Sequence, residues 1–384
     1  MKSLVFIIIC LIIFSSNQIG IEISSQKLLP STLYVGGLGE GNYSSIMDAI
    51  NAAFDGDYIL VYPSIYYENL ILDVSITLIS IGGMNVTIID ANMSSLPVQV
   101  FADSCVIEGF TFQNGGDLGY NYTASVSIRC DNCIFSNNTV SMRDVDQIHA
   151  DSAIEILGNN TEISYCFLLE NDENPLIQRG IYIDQHSSKC HIHDNYIEGF
   201  AIGIYNYYFT NDIVIENNSI ESCNIGVNSD GPSTKIFRNI FSNCSGCAIS
   251  VFGPNSFVAL NDIMCKDDPY SGCIFLYTSA RDSVIEQNRI SGKNNYSIYL
   301  VDPNKCVVKN NDILQGNIFI FKYLNTLWKK NQIYGNYYAE KNINRFGWQI
   351  LPGNLQIIAY FEASLDIPWY AFDKNPASAP FFPN

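Results

Sequence analysis

Carboxylates and a few basic side chains gather in two long segments that interrupt an otherwise regular sequence pattern. The first segment contains Asp144 and Asp146, and the second contains Glu173 and Arg179 and is followed by His186. Two carboxylates can act as acid and base in the hydrolysis of a glycosidic bond, and Ca²⁺ beside a basic residue can support β-elimination from a uronic acid. These five residues are therefore candidate catalytic residues, with Ca²⁺ as a candidate cofactor. An acidic loop that is merely solvated is the alternative.

Two histidines form a second group that could do chemistry. His191 and His193 alternate with Ile192, so on an extended strand both side chains point to the same outer face. Glu216 is expected on the neighbouring strand. A pair of histidines with a nearby carboxylate can bind a transition metal or move protons. His191, His193 and Glu216 are thus candidate metal ligands, and two surface histidines on an exposed strand are the alternative.

Several of the 12 cysteines fall at related places in adjacent sequence repeats. Cys223 and Cys244 each follow a repeated Asn by five residues, and Cys247 and Cys273 each follow a Gly. Residues stacked in adjacent strands lie about 4.8 Å apart, which a disulfide accepts. These four are disulfide candidates, although buried free thiols would pack nearly as well. No second C-x-x-C pair at zinc-like spacing accompanies Cys130-Asp-Asn-Cys133, so we expect no zinc site.

The elements that must position these residues form a repeat with the pattern apolar-x-x-Asn-x-apolar. It is clearest from Ile192 through Asn195 to Ile197, and a second apolar stretch such as Ile202-Gly-Ile204 follows each copy. The Asn-to-Asn intervals of 23, 21, 22, 27, 23 and 20 residues define a repeat array. The repeated residues are Asn195, Asn218, Asn239, Asn261, Asn288, Asn311 and Asn331.

Short, alternating, β-branched segments without helical spacing predict two or three strands per repeat, which is one coil of a parallel β-solenoid. Alternate residues such as Ile192 and Ile197 then point inward and stack on the next coil about 4.8 Å away. The Asn is expected at a sharp bend, in the left-handed conformation and bonded to the Asn of the adjacent coil. We expect Cys133 and Cys166 in its place in two earlier coils. A leucine-rich repeat, which needs Leu at several fixed positions, is the competing solenoid.

These repeats, together with a motif over residues 43–70, make the chain resemble the right-handed parallel β-helix repeat proteins of the pectate-lyase-like superfamily, particularly the NosD-like and carbohydrate-binding β-helix group. In the motif, Tyr43-Ser-Ser-Ile46 leads into a short amphipathic helix, and Gly56-Asp57 ends it before a strand that begins at Ile59. The resemblance implies an all-β, right-handed parallel β-helix whose N-terminal helix covers the open end of the stack. The repeat itself indicates about 22 residues per coil.

The polysaccharide-cleaving members of this superfamily place carboxylates, a base and often Ca²⁺ on one lateral face beneath long loops. A third interruption holds Lys266, Asp267, Asp268 and Tyr270. All three interruptions fall between the Asn-bearing strand and the second strand, so their loops should leave the same edge of the solenoid. The Asn-Thr-Asp, Gly-His-Gly and Arg-Ile-Lys signatures of polygalacturonases are absent from the sequence, as is the Asp-Pro-His of alginate epimerases.

The chain is expected to divide into four segments. Residues 1–20 are predicted to be a secretory signal peptide, because a basic start precedes an apolar run over residues 4–14 that is short for a membrane span. An uncleaved N-terminal anchor is the alternative. Residues 31–75 form the N-terminal cap and first coil, residues 76–333 the β-helix repeats, and residues 334–384 an aromatic C-terminal cap. Its aromatic side chains either cover the last coil or offer a platform for sugar rings.

Charge and glycosylation sequences limit the partners. The 20 basic and 38 acidic residues give a net charge of −18, which argues against nucleic acid and anionic membranes. No later segment is apolar enough to span a membrane in the mature chain. Nine Asn-x-Ser/Thr acceptor sequences predict the glycosylated surface of a secreted or cell-surface protein. The acceptors are Asn42, Asn85, Asn92, Asn121, Asn137, Asn159, Asn217, Asn243 and Asn295.

We expect a secreted or cell-surface glycoprotein that binds extracellular polysaccharide or other glycan through its lateral face, without catalysis. A Ca²⁺-assisted polysaccharide lyase, hydrolase or epimerase is the alternative, and a purely structural surface module is the third possibility. Binding predicts exposed aromatic side chains in a row along the solenoid. Catalysis predicts instead that the loop carboxylates, Arg179 and His186 converge in one groove.

Overall fold

The computed structural model describes residues 29–115, 124–142, 151–170, 178–266, 272–292, 296–323, 330–340, 349–359 and 363–382. Within these residues, three long sheets wind into a right-handed parallel β-solenoid of about 11 turns with about 24 residues per turn. The all-β parallel β-helix is therefore confirmed. The average turn exceeds the expected 22 residues because early coils are longer: the equivalent positions Asn138, Cys166 and Asn195 are 28 and 29 residues apart.

Each complete turn contributes one strand to each of the three sheets. The first sheet contains, in spatial order, β1 (Thr32–Val35), β2 (Tyr58–Val61), β5 (Thr77–Ser80), β8 (Val106–Glu108), β11 (Ile134–Ser136), β14 (Glu162–Ser164), β17 (His191–His193), β20 (Val214–Glu216), β23 (Lys235–Phe237), β26 (Phe257–Ala259), β29 (Val284–Glu286), β32 (Val307–Lys309) and β35 (Gln332–Tyr334). The second sheet contains β3 (Ser64–Tyr66), β6 (Thr87–Asp90), β9 (Thr111–Gln113), β12 (Thr139–Ser141), β15 (Phe167–Leu169), β18 (Tyr196–Glu198), β21 (Ser219–Glu221), β24 (Ile240–Cys244), β27 (Asp262–Cys265), β30 (Arg289–Ser291), β33 (Asp312–Ile313) and β36 (Tyr337–Tyr338). The third sheet contains β4 (Leu70–Leu72), β7 (Val98–Val100), β10 (Ala124–Ile128), β13 (Ser152–Ile156), β16 (Arg179–Ile183), β19 (Ile202–Asn206), β22 (Ile225–Ser229), β25 (Cys247–Val251), β28 (Gly272–Leu276), β31 (Tyr296–Val301), β34 (Asn317–Tyr323), β37 (Gln349–Ala359) and β38 (Ala363–Asp373).

Inward-facing side chains stack in columns along the solenoid. In the first sheet, the central residues Ile163, Ile192, Ile215 and Ile236 are in register on successive strands, and none has any exposed surface. This alternation follows from the two-residue period of an extended strand. Burying a side chain of this size contributes about 1.5–3 kcal/mol relative to leaving it exposed. The repeated apolar positions of the sequence therefore supply the core.

An asparagine ladder runs along the turn between the first and second sheets. The Nδ2 of Asn218 donates to the Oδ1 of Asn239 at 3.0 Å, and the Nδ2 of Asn239 donates to the Oδ1 of Asn261 at 3.1 Å. The same bond links the buried residues Asn195, Asn218, Asn239, Asn261, Asn288, Asn311 and Asn336. The carboxylate of Asp373 ends this run by accepting from the Nδ2 of Asn336 at 3.2 Å. The expected amide bonds between coils are thus present.

Two details of the ladder correct the expectation. The left-handed residue is the one before the Asn, as at Asp194 with φ 56° and Arg238 with φ 57°. The last Asn of the ladder is Asn336, whereas Asn331 lies just before β35 and accepts a hydrogen bond from the backbone N of Cys306 at 3.0 Å. In an Asn-rich chain the short motif also occurs out of frame, which explains the misplacement.

The two cysteines expected in the ladder behave differently. Cys166 does occupy a ladder position, where its backbone N donates to the Oδ1 of Asn195 at 2.9 Å. Cys133 instead precedes β11, and Asn138 holds the ladder position in that coil by accepting from the backbone N of Phe110 at 2.9 Å. The placement of Cys133 was wrong because the apolar-x-x-Asn-x-apolar pattern of that coil runs over residues 135–140.

The described ends of the solenoid carry a helix and a hairpin. Helix α1 (Ile46–Ala52) contacts β1, β2 and β4, and the Oγ of its N-cap residue Ser45 accepts from the backbone N of Asp48 at 3.3 Å. At the other end, β37 and β38 form an antiparallel hairpin that extends the third sheet. The capping roles and the segment boundaries stay predictions. Among the described residues, no helix is long and apolar enough to cross a membrane.

Candidate functional site

The outer face of the third sheet carries columns of aromatic side chains. Residues in register on successive strands point to the same face and form columns, because side chains alternate along a strand. Tyr182 is in register with Tyr205, and Phe275 is in register with Tyr299. We name this surface the aromatic face, and it comprises Tyr182, Tyr205, Tyr207, Phe252, Phe275, Tyr277, Tyr299 and Phe319.

The rings of the aromatic face form two clusters. In the first cluster, the ring centroids of Tyr182 and Tyr205 are 5.8 Å apart, and that of Tyr207 lies 6.0 and 5.7 Å from them. In the second cluster, Phe252 and Tyr277 stack at 3.9 Å with 4° between their planes. The remaining rings extend this second cluster, with centroid distances of 5.2 Å for Phe275–Tyr299 and 4.7 Å for Tyr299–Phe319. The aromatic side chains thus form a row, but seven of the eight are half-buried and Phe319 is buried, so the predicted row of exposed rings is present only in part.

A polar interval separates the two clusters. Asn228 and Ser250 occupy the outward column between Tyr205 and Phe275. Beside them, Asp230 accepts a hydrogen bond from the Tyr205 hydroxyl at 2.9 Å. Burial raises the pKa of Asp230, although hydrogen bonds from Tyr205 and Asn228 oppose the shift. The face thus carries an amide and a carboxyl group between the two clusters, whereas the Ser250 hydroxyl is only 3% exposed.

Arg179 lies over the first cluster. Its Cζ is 5.0 Å from the ring centroid of Tyr182 and 5.3 Å from that of Tyr205. Such a guanidinium is attracted by the faces of the rings and is held in place by them. Its Nε is buried and has no hydrogen-bond partner among the residues that the structure describes. Arg179 therefore keeps an unused donor on the aromatic face.

A buried carboxyl group adjoins the first cluster. Glu155 is 8% exposed and is in register with Tyr182. Its Oε2 accepts from the Oγ of Ser127 at 3.2 Å and lies 3.9 Å from the Nη2 of Arg129. The pKa of Glu155 is raised, mainly because the side chain is buried. The charge of Arg129 and the hydrogen bond from Ser127 oppose this shift, and the charge of Asp184 adds to it. A carboxyl group with a raised pKa near a second carboxylate is an arrangement that acid–base hydrolysis uses.

The structure tests the predicted catalytic residues only in part. Three of them, Asp144, Asp146 and Glu173, lie outside the described residues. Arg179 lies on the aromatic face, whereas His186 lies in the exposed turn after β16, where its backbone N donates to Asp184 Oδ1 at 3.2 Å. The convergence of all five in one groove stays a prediction. Sequence reasoning missed Glu155, although a charge between Ile154 and Ile156 in a strand next to an interruption could have signalled it.

The predicted metal ligands lie on the outer face of the first sheet. The rings of His191 and His193 are 4.1 Å apart. The Nε2 of His191 is 2.8 Å from Glu216 Oε1, whereas His193 contacts Glu162 Oε1 at 3.3 Å and Asp194 Oδ2 at 2.7 Å. Within the described ranges, no group of three or more His, Cys, Asp or Glu side chains could hold a metal ion. His191 thus contacts one carboxylate and His193 contacts two others, and metal binding by His191, His193 and Glu216 stays a prediction.

All eleven cysteines that the structure describes are buried free thiols. Cys244 is in register with Cys265 of the next coil. Burial, followed by the charges of Cys223 and Cys265, raises the pKa of Cys244. In the third sheet, Ile274 pairs with Ile249, which sets Cys273 opposite Ala248 and not opposite Cys247. Disulfides among Cys223, Cys244, Cys247 and Cys273 stay predictions.

Seven of the nine predicted glycosylation acceptors lie in the described residues. Asn85, Asn92, Asn137, Asn217 and Asn243 are exposed, Asn42 and Asn159 are half-buried, and Asn121 and Asn295 lie outside. Asn137 and Asn217 occupy the left-handed position just before a ladder Asn, and a Thr or Ser follows to begin the second-sheet strand. The acceptor sequence at these places therefore arises from the repeat itself.

These features define the class of the protein. The chain is a right-handed parallel β-helix protein, with two aromatic clusters on the outer face of its third sheet. Residues 85–263 match the family model described as the right handed beta helix region. No curated protein matches the chain.

Several solved structures are similar to the chain. The Dettilon tailspike protein superposes with a TM-score of 0.55 and 12% identity, over 84% of this chain and 71% of its own. A double mutant of the tailspike protein of E. coli bacteriophage HK620 superposes with a TM-score of 0.57 and 13% identity, over 79% of this chain and 66% of the tailspike. The HK620 tailspike in complex with a pentasaccharide superposes with a TM-score of 0.53 and 11% identity over the same shares of the two chains. The PL6 family alginate lyase AlyGC superposes with a TM-score of 0.56 and 11% identity, over 78% of this chain and 53% of the lyase. At these identities the similarity shows the fold alone.

Proposed function

We propose that this protein is a secreted or cell-surface β-helix protein that binds an extracellular glycan along the aromatic face, without catalysis. The observation that carries this proposal is the alignment of aromatic rings in two clusters on one lateral face. Aromatic side chains combine a large apolar surface with a polar edge, which suits the apolar faces of sugar rings. In the polar interval, the half-buried Asn228 and Asp230 would receive the hydroxyl groups of the same ligand.

The spacing of the clusters favours an oligosaccharide that lies parallel to the solenoid axis. Tyr207 of the first cluster and Phe252 of the second are two coils apart, which is about 10 Å at the strand spacing of about 4.8 Å. A single sugar cannot contact both clusters across that distance. The HK620 tailspike was solved with a pentasaccharide. That complex supports the proposal by showing, for that protein, a fold of this kind in complex with a glycan.

The proposal is tested by measuring the binding of the full chain to a panel of neutral and acidic polysaccharides, followed by calorimetry with oligosaccharides of the best ligand. Tyr205→Ala and Tyr299→Ala are each expected to weaken binding tenfold or more, which is about 1.4 kcal/mol, because each removes a central ring from one cluster. Tyr67→Ala is the matched control, since Tyr67 is 70% exposed and lies outside the aromatic face. Equal losses in all three variants, or no binding to any polysaccharide, would contradict the proposal.

A second candidate function is cleavage of the bound glycan, and the buried Glu155 favours it. A protonated Glu155 would donate a proton to the leaving oxygen, while Asp184 would act as the base or nucleophile. Ca²⁺-assisted elimination would instead use the carboxylates of the two loops. The assay follows new reducing ends and unsaturated products with Ca²⁺ and with a chelator. New reducing ends without unsaturated sugar that persist with Glu40→Gln, an exposed control, but vanish with Glu155→Gln would establish hydrolysis. Binding without products would favour the first function.

A further inference from the structure

We propose that Cys130 and Cys133 form an intrachain disulfide bond when the chain meets a disulfide oxidant. Their Sγ atoms are 2.7 Å apart. An S–S bond is about 2.05 Å long, so closing the bond requires a movement of only about 0.6 Å. Two sulfur atoms that are not bonded normally stay farther apart than this pair. The distance between the two Sγ atoms is therefore closer to that of a disulfide bond than to the separation of two thiols that are not bonded.

The turn between the third and first sheets holds this pair in place. Asn132 adopts the left-handed conformation with φ 59°, which folds the four-residue Cys-Asp-Asn-Cys segment back on itself. The backbone N of Asp131 donates to Asp103 Oδ1 at 2.8 Å, and the backbone N of Asn159 donates to Asp131 Oδ1 at 2.7 Å. These two bonds tie the segment to the coils on both sides. The approach of the two sulfur atoms is thus set by the turn itself.

A third thiol lies beside the pair. Cys105 precedes β8 as Cys133 precedes β11, and these two strands are in register. The hydrogen bond with Cys133, followed by burial, raises the pKa of Cys105 far above its usual range. A protonated thiol is a poor nucleophile, so burial slows the attack of Cys105 on a neighbouring disulfide once the coil has closed. Before the coil closes, Cys105 can compete for Cys133, and a Cys105–Cys133 bond is therefore the alternative pairing that the test must distinguish.

The bond forms by thiol–disulfide exchange with an external disulfide such as oxidised glutathione. The thiolate of Cys130 attacks one sulfur of the oxidant and displaces one thiolate; the thiolate of Cys133 then attacks the Sγ of Cys130 and displaces the second. The two cysteines lose two electrons and two protons, and one external disulfide becomes two thiols. Because Cys130 and Cys133 are only 4% and 2% exposed, the exchange takes place before the coil closes.

The test maps disulfides in the full chain after refolding with oxidised glutathione, by denaturation, alkylation without reductant, proteolysis and mass spectrometry. The peptide that contains residues 130–133 is expected to be unalkylated and two hydrogens lighter, and to gain two alkyl groups only after reduction. Cys190 precedes β17 at the position that Cys133 holds in its own coil, and it should be alkylated throughout. Alkylation of both Cys130 and Cys133 without reductant would overturn the proposal.

Two variants separate this bond from its alternative. In Cys105→Ser the light peptide should remain, whereas in Cys130→Ser the remaining Cys133 should become alkylated. A peptide in which Cys105 is linked to Cys133 would overturn the proposal and identify the other pairing. Because mapping is done on the denatured chain, either variant is informative even where it lowers the stability of the fold.

Discussion

An Asn239→Ala substitution tests whether the asparagine ladder holds the coils together. Asn239 has no exposed surface. Its Nδ2 donates to the carbonyls of Ile215 and Phe237 and to the Oδ1 of Asn261, and its Oδ1 accepts from the backbone N and the Nδ2 of Asn218. Alanine removes all five bonds at once. The variant therefore breaks one rung of the ladder and leaves the apolar columns intact.

The expected magnitude follows from the buried groups that lose a partner. The Nδ2 of Asn218 still donates to Ile192 and Glu216, so its loss is small. The backbone N–H of Asn218 and the carbonyl of Ile215 both lose the bond to Asn239. A buried polar group without its partner costs about 1–3 kcal/mol. Two such groups predict that the free energy of unfolding falls by about 2–6 kcal/mol.

The assay is urea unfolding followed by far-ultraviolet circular dichroism. The matched control is Asn211→Ala, because Asn211 is exposed and its Nδ2 contacts only the neighbouring Asp212, at 2.9 Å, among the contacts described. The control is expected to stay within about 0.5 kcal/mol of the unsubstituted protein. A loss below about 1 kcal/mol for Asn239→Ala, with an unchanged denaturant slope, would refute the reasoning, since the ladder would then contribute no more than a surface amide.

Two further substitutions test buried charge. Glu155→Gln is expected to stabilise the fold at about pH 7 and to have no effect below about pH 4. Burial, ahead of the opposing charge of Arg129, raises the folded-state pKa of Glu155, so its ionised form destabilises the fold as pH rises through that pKa. Urea unfolding at both pH values checks the sign, and a destabilised variant at neutral pH would contradict it. Lys322→Met should cost about 3–5 kcal/mol, because its Nζ lies 3.7 Å from Asp302 Oδ1 and the side chains are 4% and 0% exposed. Lys309→Met, from a more exposed pair, should cost about 1 kcal/mol or less, and equal losses would argue against the role of burial.

The inward-facing part of the solenoid could be predicted because burial imposes the same residue types on every coil. Ile192, Ile215 and Ile236 fill one column, and each lies three residues before the ladder Asn of its own coil. Every coil therefore needs an apolar residue at this position. The period, the strands and the bonds between the amides all follow from that repetition. The ladder position could not be predicted correctly in two coils near the ends of the repeat array. Asn331 and Cys133 match parts of the motif, but only the pairing of strands places Asn336 and Asn138 in the ladder.

The outward-facing part could not be predicted in the same way. Outward positions have no common packing requirement, so Tyr205 and Glu155 carry no repeating signature of their own. Their relation to other residues depends on the register between coils, which a single strand does not reveal. Tyr205 is followed in its column by Asn228, 23 residues later, and then by Ser250 after a further 22 residues. Unequal coil lengths make such columns visible only once the strands are paired.

The long interruptions share one topological position, which differs from that of the aromatic rings. Residues 143–150, 171–177 and 267–271 all connect a second-sheet strand to the next third-sheet strand, at β13, β16 and β28. Extra residues at this edge leave the inward columns undisturbed, so the chain can vary in length there without loss of core. The aromatic rings lie toward the other ends of the third-sheet strands, since Tyr207, Phe252 and Tyr277 follow the last residues of β19, β25 and β28. A structural module needs only the inward columns. The row of aromatic rings on the outer face is therefore a feature that packing of the core does not require.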